Sequence, residues 1–437
     1  MAFNIPTSAG SARVVPPPVA RRRNHAHGAA VRRGSRRKLV CLYSHDTFGL
    51  GHLRRTLAIA EHLLNRSPAF DVLLLTGSPV IGSWALPRGL RVQPMTPVVK
   101  LAADRYAARE GHTPFNLVKG YREATILRTV MRERPDVLLV DHAPAGMQGE
   151  LLSTLALIRR EMPGTKVVLG LRDILDDPED VRRNWAKDEI YPLLEAVYDH
   201  ILVYGCQAIF DVSAAYGLSA AVRDKLSFAG YIARPPETIG PDPDSAWRAV
   251  APGGTGKRVL VTAGGGGDGD FLFSAYLAAL DQMQAGSTNS VIVSGPLMPV
   301  EQQDALIAAA ARRGDTTILP VTTNLVPLLQ AADLTVSMGG YNTTVEILAT
   351  GKPAIIVPRS APRVEQLMRA TLLDRMGLVR MAESGPGLAS RLACLVGETL
   401  AAPPALPPVL DLGGVQRVGD LLAAITRAGA EQARRAA

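Results

Sequence analysis

The sequence has few cysteines, and none of them is spaced for a metal site or a disulfide framework. Cys41, Cys206 and Cys394 lie far apart in the 437 residues and form no CxxC pair. Structural zinc sites and small disulfide-stabilised folds need several cysteines at short spacings. The cysteine content therefore excludes both classes and favours a reducing compartment such as the cytoplasm.

Long apolar stretches are also missing from the sequence. No segment approaches the ~18 consecutive apolar residues that a membrane-spanning helix requires. The first 38 residues lack the continuous apolar region of a secretory signal. We therefore expect a cytoplasmic protein without a membrane-spanning segment.

Acidic residues are absent from residues 1–38, which hold nine of the 48 lysines and arginines. The rest of the chain carries 39 basic against 40 acidic residues, so the net charge of +8 comes from this segment. A neutral body gives no basis for a nucleic-acid-binding fold. Residues 1–37 are rich in Pro, Ala and Arg without apolar periodicity, which predicts a disordered basic tail. The tail either stays solvated or makes peripheral contact with an anionic membrane at its inner face.

Short β-rich runs alternate with helical patterns from Lys38 onwards, which is typical of parallel βαβ units. The two halves of the chain open alike, with a strand, a Gly-containing loop and a helix. The pattern predicts an α/β protein with two Rossmann-like, doubly wound lobes that face each other across a ligand-binding cleft. Ten strands are predicted, at residues 39–43, 71–75, 136–140, 166–170 and 200–204 in the first half and at 258–262, 290–294, 316–320, 334–338 and 353–357 in the second.

A Pro- and Gly-rich stretch without periodicity, residues 232–256, divides these halves and is predicted to be a linker. It separates an N-terminal domain at residues 38–231 from a C-terminal domain at residues 257–410. Residues 411–437 are predicted to contain a terminal helix that packs back across the lobes.

The segment 334–366 is the most informative part of the sequence. A predicted strand ends before Gly339–Gly340, where the backbone can turn tightly, and Asn342 or Thr343 can cap the helix that follows. The N-terminus of a helix is an anion site suited to a diphosphate. Glu346, one turn into the helix, could then accept both hydroxyls of a ribose, or it could be a solvated surface residue.

The same region resembles the C-terminal donor-binding domain of family 28 glycosyltransferases. The resemblance covers about residues 258–380 and rests on a Gly-rich loop, the AADL strand entry, the GG-x-N-T-T-x-E helix, the GKPAIIVP strand and the EQ pair. It implies the GT-B fold and a nucleotide-sugar-binding C-terminal domain, in which Glu346 matches the glutamate that holds the ribose. Gln366 matches the glutamine that contacts the donor sugar, and Glu365 is its neighbour. The donor-binding residues predicted here are Gly339, Gly340, Asn342, Thr343, Thr344, Glu346, Glu365 and Gln366.

A run of four glycines, Gly264–Gly267, connects the strand predicted at 258–262 with the next helix. Glycines let the backbone approach a phosphate closely, and the start of a helix favours negative charge. The run could also be a loose connection without a binding role, and Asp268 would repel a phosphate if it pointed inward. Gly264, Gly265 and Gly266 complete the predicted donor site.

His52 is the predicted general base. It follows the glycines of the segment FGLGH, at the start of the first helix and in the mouth of the cleft, where the helix dipole keeps the imidazole neutral. The G-x-G-H motif resembles the N-terminal motif of the family, whose histidine is a candidate base; a capping or packed histidine is the alternative. Asp141 ends a strand and could orient His52, contact the acceptor or cap a helix.

Further residues of the first half are predicted to bind the acceptor, which makes this half the acceptor-binding domain. The LGHLRRTLA segment also resembles UDP-sugar hydrolases of pseudaminic acid biosynthesis, so the acceptor itself is not implied. The residues are Gly49 and Gly51 beside the histidine motif, and His142, Arg172 and Asp173 at the ends of strands.

These features predict a glycosyltransferase that moves a sugar from a nucleotide donor, a UDP-sugar, to a hydroxyl of a glycan, lipid or small molecule. His52 takes the acceptor proton while the donor lobe stabilises the departing diphosphate, which gives inversion. No DxD-type carboxylate pair lies at a suitable strand end, so we predict no metal and no cofactor beyond the nucleotide-sugar co-substrate. A UDP-sugar hydrolase and a non-catalytic sugar-nucleotide sensor are the alternatives.

Overall fold

Two parallel β-sheets with helices on their faces form the body of the protein, as seen in a computed structural model. Nearly all of the predicted tail, and also Gly49, lie outside the residues that the structure describes. The described residues are 37–46, 51–66, 70–83, 86–102, 105–109, 113–233, 241–322, 325–361, 363–402 and 410–436.

The first lobe contains a seven-stranded sheet of order β3-β2-β1-β6-β7-β8-β9, in which all neighbouring strands are parallel, and a separate antiparallel pair, β4 and β5. In chain order, its strands are β1 (Leu39–Tyr43), β2 (Asp71–Thr76), β3 (Arg91–Pro94), β4 (Val98–Ala102), β5 (Arg105–Ala108), β6 (Val137–Asp141), β7 (Lys166–Arg172), β8 (His200–Tyr204) and β9 (Leu226–Phe228). Its helices are α1 (Gly51–Asn65), α2 (Phe115–Glu133), α3 (Leu152–Glu161), α4 (Pro178–Lys187), α5 (Ile190–Ala196), α6 (Val212–Ala215) and α7 (Ala220–Arg223).

The second lobe repeats this plan with a six-stranded parallel sheet of order β12-β11-β10-β13-β14-β15. Its strands are β10 (Lys257–Thr262), β11 (Thr288–Val293), β12 (Thr316–Leu319), β13 (Leu334–Ser337), β14 (Ala354–Ile356) and β15 (Arg380–Met381). The helices in this part of the chain are α8 (Pro243–Val250), α9 (Asp270–Leu280), α10 (Val300–Ala311), α11 (Leu325–Ala331), α12 (Tyr341–Thr350), α13 (Glu365–Arg375), α14 (Leu388–Ala401) and α15 (Gly414–Ala436).

All ten predicted strands are present, whereas the strands that the sequence missed are short. The edge strands β3, β9 and β15 contain no fully buried residue, so they lack the apolar runs that mark the central strands. Central strands are buried on both faces, as expected for parallel sheets with helices on each side. In β1, Val40 and Leu42 pack toward α1, while Cys41 and Tyr43 pack into the core on the other face.

Part of the stretch predicted to be a linker is helical, which corrects the prediction for residues 243–250. Asp242 caps α8 by accepting a hydrogen bond from the N–H of Ser245 at 2.9 Å, and Pro243 occupies the first turn, where its missing N–H costs nothing. Trp247 is buried and belongs to the same apolar cluster as α11. The helix therefore packs on the second lobe despite its weak sequence pattern.

The terminal helix α15 returns to the first lobe and packs on α1. Val418 and Leu422 are buried in the same cluster as residues of α1. At the start of the helix, Arg417 donates through Nε to the carbonyl of Ala229 at 2.7 Å. In the part of the chain that the structure describes, every helix is too short or too polar to cross a membrane.

Candidate active site

In both sheets, the order of the strands reverses at the first strand of the lobe, and these two switch points face one cavity. β1 lies between β2 and β6, and β10 lies between β11 and β13. Open parallel sheets bind ligands beside the carboxyl ends of strands at such points. Residues of both lobes line a cavity of about 470 Å³ there. The predicted site residues among this lining are Gly51, His52, Arg172, Gly264, Gly265, Gly266, Gly340, Asn342, Thr343, Glu365 and Gln366.

His52 and Asp141 meet at the first-lobe side of this cavity. The imidazole Nδ1 lies 2.6 Å from Oδ2 of Asp141, and the two side chains are 13% and 6% exposed. His52 is the second residue of α1, and Asp141 is the last residue of β6. With Nδ1 bonded to the carboxylate, Nε2 is the ring nitrogen that can take a proton in the cavity.

The electrostatics of this pair favour a neutral imidazole beside a carboxylate. Burial lowers the pKa of His52 from 6.5 to about 4, and the neighbouring Arg55 and Arg172 act in the same direction against the opposing effect of Asp141. Burial raises the pKa of Asp141, but the charges of Arg55 and His52 outweigh it and lower that pKa to about 2. At neutral pH, His52 is therefore ready to accept a proton while Asp141 is charged.

Arg55 holds Asp141 in place and was not predicted from the sequence. Its guanidinium donates through Nη2 to Oδ1 and Oδ2 of Asp141 at 2.7 and 2.9 Å, and it lies 5.6 and 5.5 Å from the ring centroids of Tyr204 and Tyr341. It follows His52 by three residues on the same helix, and this spacing places both side chains on one face. That spacing is the signal that could have identified it.

Two further histidines and an aspartate surround His52. The ring centroids of His45 and His142 lie 5.5 and 5.1 Å from that of His52, and His142 has φ +69° with Nδ1 buried and unpaired among the described residues. Asp46 lines the cavity and accepts hydrogen bonds from Ser44 and Thr76, and burial raises its pKa to about 6. Its place three residues after the end of the central strand β1 was an available signal. The described residues contain no group of three or more His, Cys, Asp or Glu placed to hold a metal ion.

The four-glycine loop between β10 and α9 forms one wall of the donor side. Gly264 and Gly266 have φ of +68° and +87°, values that favour glycine. A Cβ on Gly266 would lie 1.9 Å from the carbonyl oxygen of Ser294, so only glycine fits there. A Cβ on Gly264 would lie 3.4 Å from Oγ1 of Thr343, which shows how close the loop comes to α12.

The start of α12 forms the neighbouring wall, and its capping differs from the prediction. The cap is Gly340, without a side-chain hydrogen bond, because the side chain of Asn342 instead donates to the carbonyl of Gly51 across the cleft at 2.7 Å. The first helical bond runs from the N–H of Thr344 to Gly340, which leaves three earlier N–H groups without a partner in the helix. Gly339, at φ +83°, makes the preceding turn. Free N–H groups at the start of a helix favour the binding of an anion.

Glu346 and Thr344 lie behind this wall rather than in it. Glu346 is 9% exposed, and its Oε1 lies 2.5 Å from Nη2 of Arg54 in the first lobe. Its Oε2 and the hydroxyl of Thr344 are buried without a hydrogen-bond partner among the described residues. The alternative of a solvated surface residue is therefore wrong, and Arg54 occupies one of the two oxygens that were predicted to accept the ribose hydroxyls.

Glu365 and Gln366 begin α13 and line the cavity beside an arginine that the sequence reading overlooked. Arg359 reaches Asp268 of the glycine loop at 2.6 Å through Nη1 and Glu365 at 3.2 Å through Nη2. The carbonyl oxygen of the Gln366 side chain accepts from the N–H of Arg359 at 3.3 Å. This pairing neutralises Asp268, which the sequence had left as a potential repulsion for phosphate.

The predicted acceptor residues separate into two groups. Arg172 lines the cavity, its Nε is buried without a partner among the described residues, and burial together with Arg55 and Arg369 lowers its pKa to about 10. His142 and Asp173 are not among the described residues that line the cavity, which corrects their assignment to the acceptor site. Asp173 is 1% exposed and pairs with Arg369 of the second lobe at 2.8 Å, so it holds the lobes together.

Comparisons with known proteins match the second lobe to a glycosyltransferase domain. Residues 259–384 match the glycosyltransferase family 28 C-terminal domain. The UDP-N-acetylglucosamine–N-acetylmuramyl-(pentapeptide) pyrophosphoryl-undecaprenol N-acetylglucosamine transferase of Agrobacterium fabrum is 29% identical over 189 residues, which are 41% of this chain and 49% of the relative. The chain spans about half the length of the curated relatives it matches.

Solved structures share the fold over nearly the whole chain. MurG of Acinetobacter baumannii is 16% identical with a TM-score of 0.55, covering 88% of this chain and 99% of that one. Medicago truncatula UGT71G1, complexed with UDP-glucose, is 13% identical with a TM-score of 0.58, covering 89% and 98%. The predicted α/β fold with two Rossmann-like lobes of the GT-B type is therefore confirmed, and residues 259–384 are similar to the C-terminal domain of family 28 glycosyltransferases.

Proposed function

We propose that the protein transfers a sugar from a UDP-sugar to an acceptor hydroxyl with inversion at the anomeric carbon. The observation that carries this proposal is the placement of the His52–Asp141 pair on the same cavity as the glycine loop and the start of α12. A base and an anion site that share one cavity are what a single displacement on a nucleotide sugar needs.

The base in this proposal is Nε2 of His52. It accepts the proton of the acceptor hydroxyl as that oxygen attacks the anomeric carbon, and the bond from this carbon to the diphosphate breaks on the opposite face. Asp141 keeps the tautomer with Nδ1–H and stabilises the imidazolium that forms. Arg55 fixes the carboxylate, so the pair does not reorient during the reaction.

The leaving diphosphate is proposed to bind at the glycine loop and the start of α12. The unpaired N–H groups of Tyr341, Asn342 and Thr343 and the helix dipole would stabilise its charge. Arg359 neutralises Asp268 at the junction of the loop and α13, which reduces the repulsion between this carboxylate and the diphosphate. We therefore propose that departure needs no metal ion, and activity should persist in EDTA; complete loss that Mg²⁺ or Mn²⁺ restores would contradict this.

The proposal of a UDP-sugar as donor is supported by two related proteins. The matched relative from Agrobacterium fabrum is named as a UDP-N-acetylglucosamine-dependent transferase, and the plant structure of the same fold contains UDP-glucose. Glu346 would hold the ribose, and Glu365 and Gln366 would contact the donor sugar. The acceptor would be a glycan, lipid or small molecule that reaches His52 past Gly51 and Arg172.

The decisive experiment separates transfer from hydrolysis. UDP release and free sugar should be measured side by side over a panel of UDP-sugars, with and without hydroxyl-bearing acceptors. Transfer requires UDP release that depends on the acceptor and a glycoside of inverted anomeric configuration. Free sugar formed at the full rate without an acceptor would instead identify a UDP-sugar hydrolase, and nucleotide binding without turnover would identify a sensor.

We also propose that the protein works in the cytoplasm, with peripheral contact at the inner face of an anionic membrane. The nine basic residues of the N-terminal 38 support this proposal through their charge. Sedimentation with vesicles that contain or lack anionic phospholipid tests it. Binding should require the anionic lipid and should fall when residues 1–36 are deleted, and equal binding to neutral vesicles would contradict it.

A further inference from the structure

An ion pair crosses the cleft at the residue proposed to hold the donor ribose. Arg54, in the first turn of α1, places Nη2 2.5 Å from Oε1 of Glu346 in α12. The two side chains are 21% and 10% exposed, so the pair is largely shielded from solvent. The pair lies close to a second contact between the same helices, from the side chain of Asn342 to the carbonyl of Gly51 at 2.7 Å.

Arg54 is closer to the cavity than its partner is. Arg54 is one of the residues that line the cavity, whereas Glu346 is not among the described residues that line it. The second carboxylate oxygen, Oε2, is buried and has no hydrogen-bond partner among the described residues. One oxygen is therefore engaged by the opposite lobe, and the other is an unsatisfied acceptor, which is costly to bury.

A ribose diol fits a carboxylate best side by side, with one hydroxyl on each oxygen. In that arrangement Oε2 accepts only one of the two hydroxyls, and Oε1 must accept the other. For the second bond to form, the guanidinium must leave Oε1, because an oxygen that faces Arg54 at 2.5 Å has no room for a ribose hydroxyl on that side. Arginine and ribose are therefore alternative partners of Glu346.

We propose that Arg54 competes with the donor ribose for Glu346, so that nucleotide binding exchanges the interlobe ion pair for hydrogen bonds from the ribose hydroxyls. This inference rests on the proposed role of Glu346 in the donor site. The exchange makes the donor site and the contact between α1 and α12 mutually dependent, because a nucleotide that takes Glu346 releases a link between the lobes. Arg54 is thus a residue that sets the affinity for ribose without contacting it.

The test compares UDP with its 2′,3′-dideoxyribose analogue by titration calorimetry. Both nucleotides carry the same charge, so the ratio of their dissociation constants, analogue over UDP, cancels any attraction of Arg54 for phosphate. Arg54→Gln should raise this ratio about three- to tenfold, since a partly buried ion pair no longer has to be broken. Arg54→Lys keeps a cation and should give a smaller rise. Arg160→Gln removes the exposed partner of Glu161, away from the cavity, and should change nothing.

Salt provides a second measurement that needs no variant. Raising NaCl from about 0.05 M to about 0.5 M screens the ion pair, so the ratio should rise in the wild-type protein and stay constant in Arg54→Gln. This readout remains valid if Arg54→Gln folds poorly. A ratio that falls with salt, or that does not change, would overturn the exchange.

Glu346→Ala separates failure of the exchange from failure of the donor site. If the ribose assignment is right, this variant brings the ratio close to one, both alone and combined with Arg54→Gln. A ratio near one in Glu346→Ala, together with an unchanged or lower ratio in Arg54→Gln, leaves the donor site standing and rejects the exchange. A wild-type ratio in Glu346→Ala rejects the ribose contact and the exchange together.

Discussion

At the scale of single residues, the chemistry depends on one imidazole whose surroundings leave it one free nitrogen. Asp141 engages Nδ1 of His52 at 2.6 Å, and Arg55 prevents the carboxylate from turning away. This arrangement buries a charged carboxylate, and the hydrogen bonds that Arg55 donates to both of its oxygens offset the cost of burial. A substitution at His52 therefore leaves a paired Asp141 behind, so it should remove the base without disturbing the fold.

We expect His52→Ala to lower kcat by about 10²–10⁴, as is usual for loss of a general base. Its affinity for UDP should be nearly unchanged, because the donor contacts lie in the second lobe. Steady-state kinetics with the best donor and acceptor, together with a UDP titration, measures both quantities. Turnover like that of the wild type would remove His52 from the mechanism.

The pH dependence distinguishes His52 from Asp46, since both line the cavity. The pKa of His52 is lowered to about 4, so the imidazole stays an active base until the pH falls to that value, whereas the pKa of Asp46 is raised to about 6. We expect kcat/KM to hold from neutral pH to about pH 5 and then to fall. An acidic limb near pH 6 that disappears in Asp46→Asn would instead identify Asp46 as the base.

The lowered pKa of His52 also makes the stability of the protein depend on pH, and proton binding determines the direction of this dependence. Between pH 6.5 and about 4, the unfolded chain binds a proton at this residue and the folded protein does not. Stability rises with pH wherever the unfolded state binds more protons. His52 therefore costs no stability above pH 6.5, and the penalty that it imposes on the folded state grows as the pH falls to about 4.

At the scale of elements, the donor side consists of backbone more than of side chains. The glycine loop after β10 and the turn before α12 bring N–H groups to the cavity, and the positive φ values of Gly264, Gly266 and Gly339 make these turns. The loop is so close to Ser294 that its path depends on the missing Cβ of Gly266. A single methyl group therefore tests whether the backbone path matters.

Gly266→Ala should lower the free energy of unfolding by about 1–3 kcal/mol and weaken UDP binding, because the strained φ and the contact with Ser294 force the loop to move. Gly267→Ala is the matched control, since its φ is ordinary and its nearest contact would be 3.5 Å from the carbonyl of Leu297. Thermal unfolding with and without UDP reports both effects. Equal behaviour of the two variants would contradict a role for the loop path.

At the scale of the whole molecule, buried polar contacts join the two lobes. Asp173 in the first lobe pairs with Arg369 of α13 at 2.8 Å, and both side chains are at most 2% exposed. Arg369 also donates to the carbonyl of Gly339 at 3.2 Å, so the pair reaches the turn before α12. Tyr341 adds a hydrogen bond from its hydroxyl to the carbonyl of Tyr204 at 2.8 Å.

Asp173→Asn should destabilise the protein by about 3–5 kcal/mol, because it leaves the buried Arg369 without its charge partner. Glu398→Gln, which breaks an exposed pair with Arg380, should leave the stability almost unchanged. Urea unfolding of both variants measures the difference. A stable Asp173→Asn protein whose only defect is a raised KM for the acceptor would instead support the original assignment of Asp173 to the acceptor site.

Local patterns account for what could be predicted. The ten apolar runs became strands because a parallel strand is buried on both faces, and α12 ends at Gly351 with φ +64°, a conformation that favours glycine. The weak edges β3, β9 and β15 and the helix α8 escaped prediction, since packing rather than composition stabilises them. Arg55 had a usable signal in its spacing from His52, but Arg359 had none.

The sequence by itself determined the fold class, the two glycine-rich turns and the position of His52 at the start of a helix, because each depends on neighbours within one or two turns of chain. The tertiary structure alone decided which distant side chains meet. His52 and Asp141 are 89 residues apart, Arg369 and Asp173 are 196 apart, and Arg54 and Glu346 are 292 apart. Such pairs depend on the order of strands in a sheet and on the way two lobes close, and no local pattern of residues encodes either.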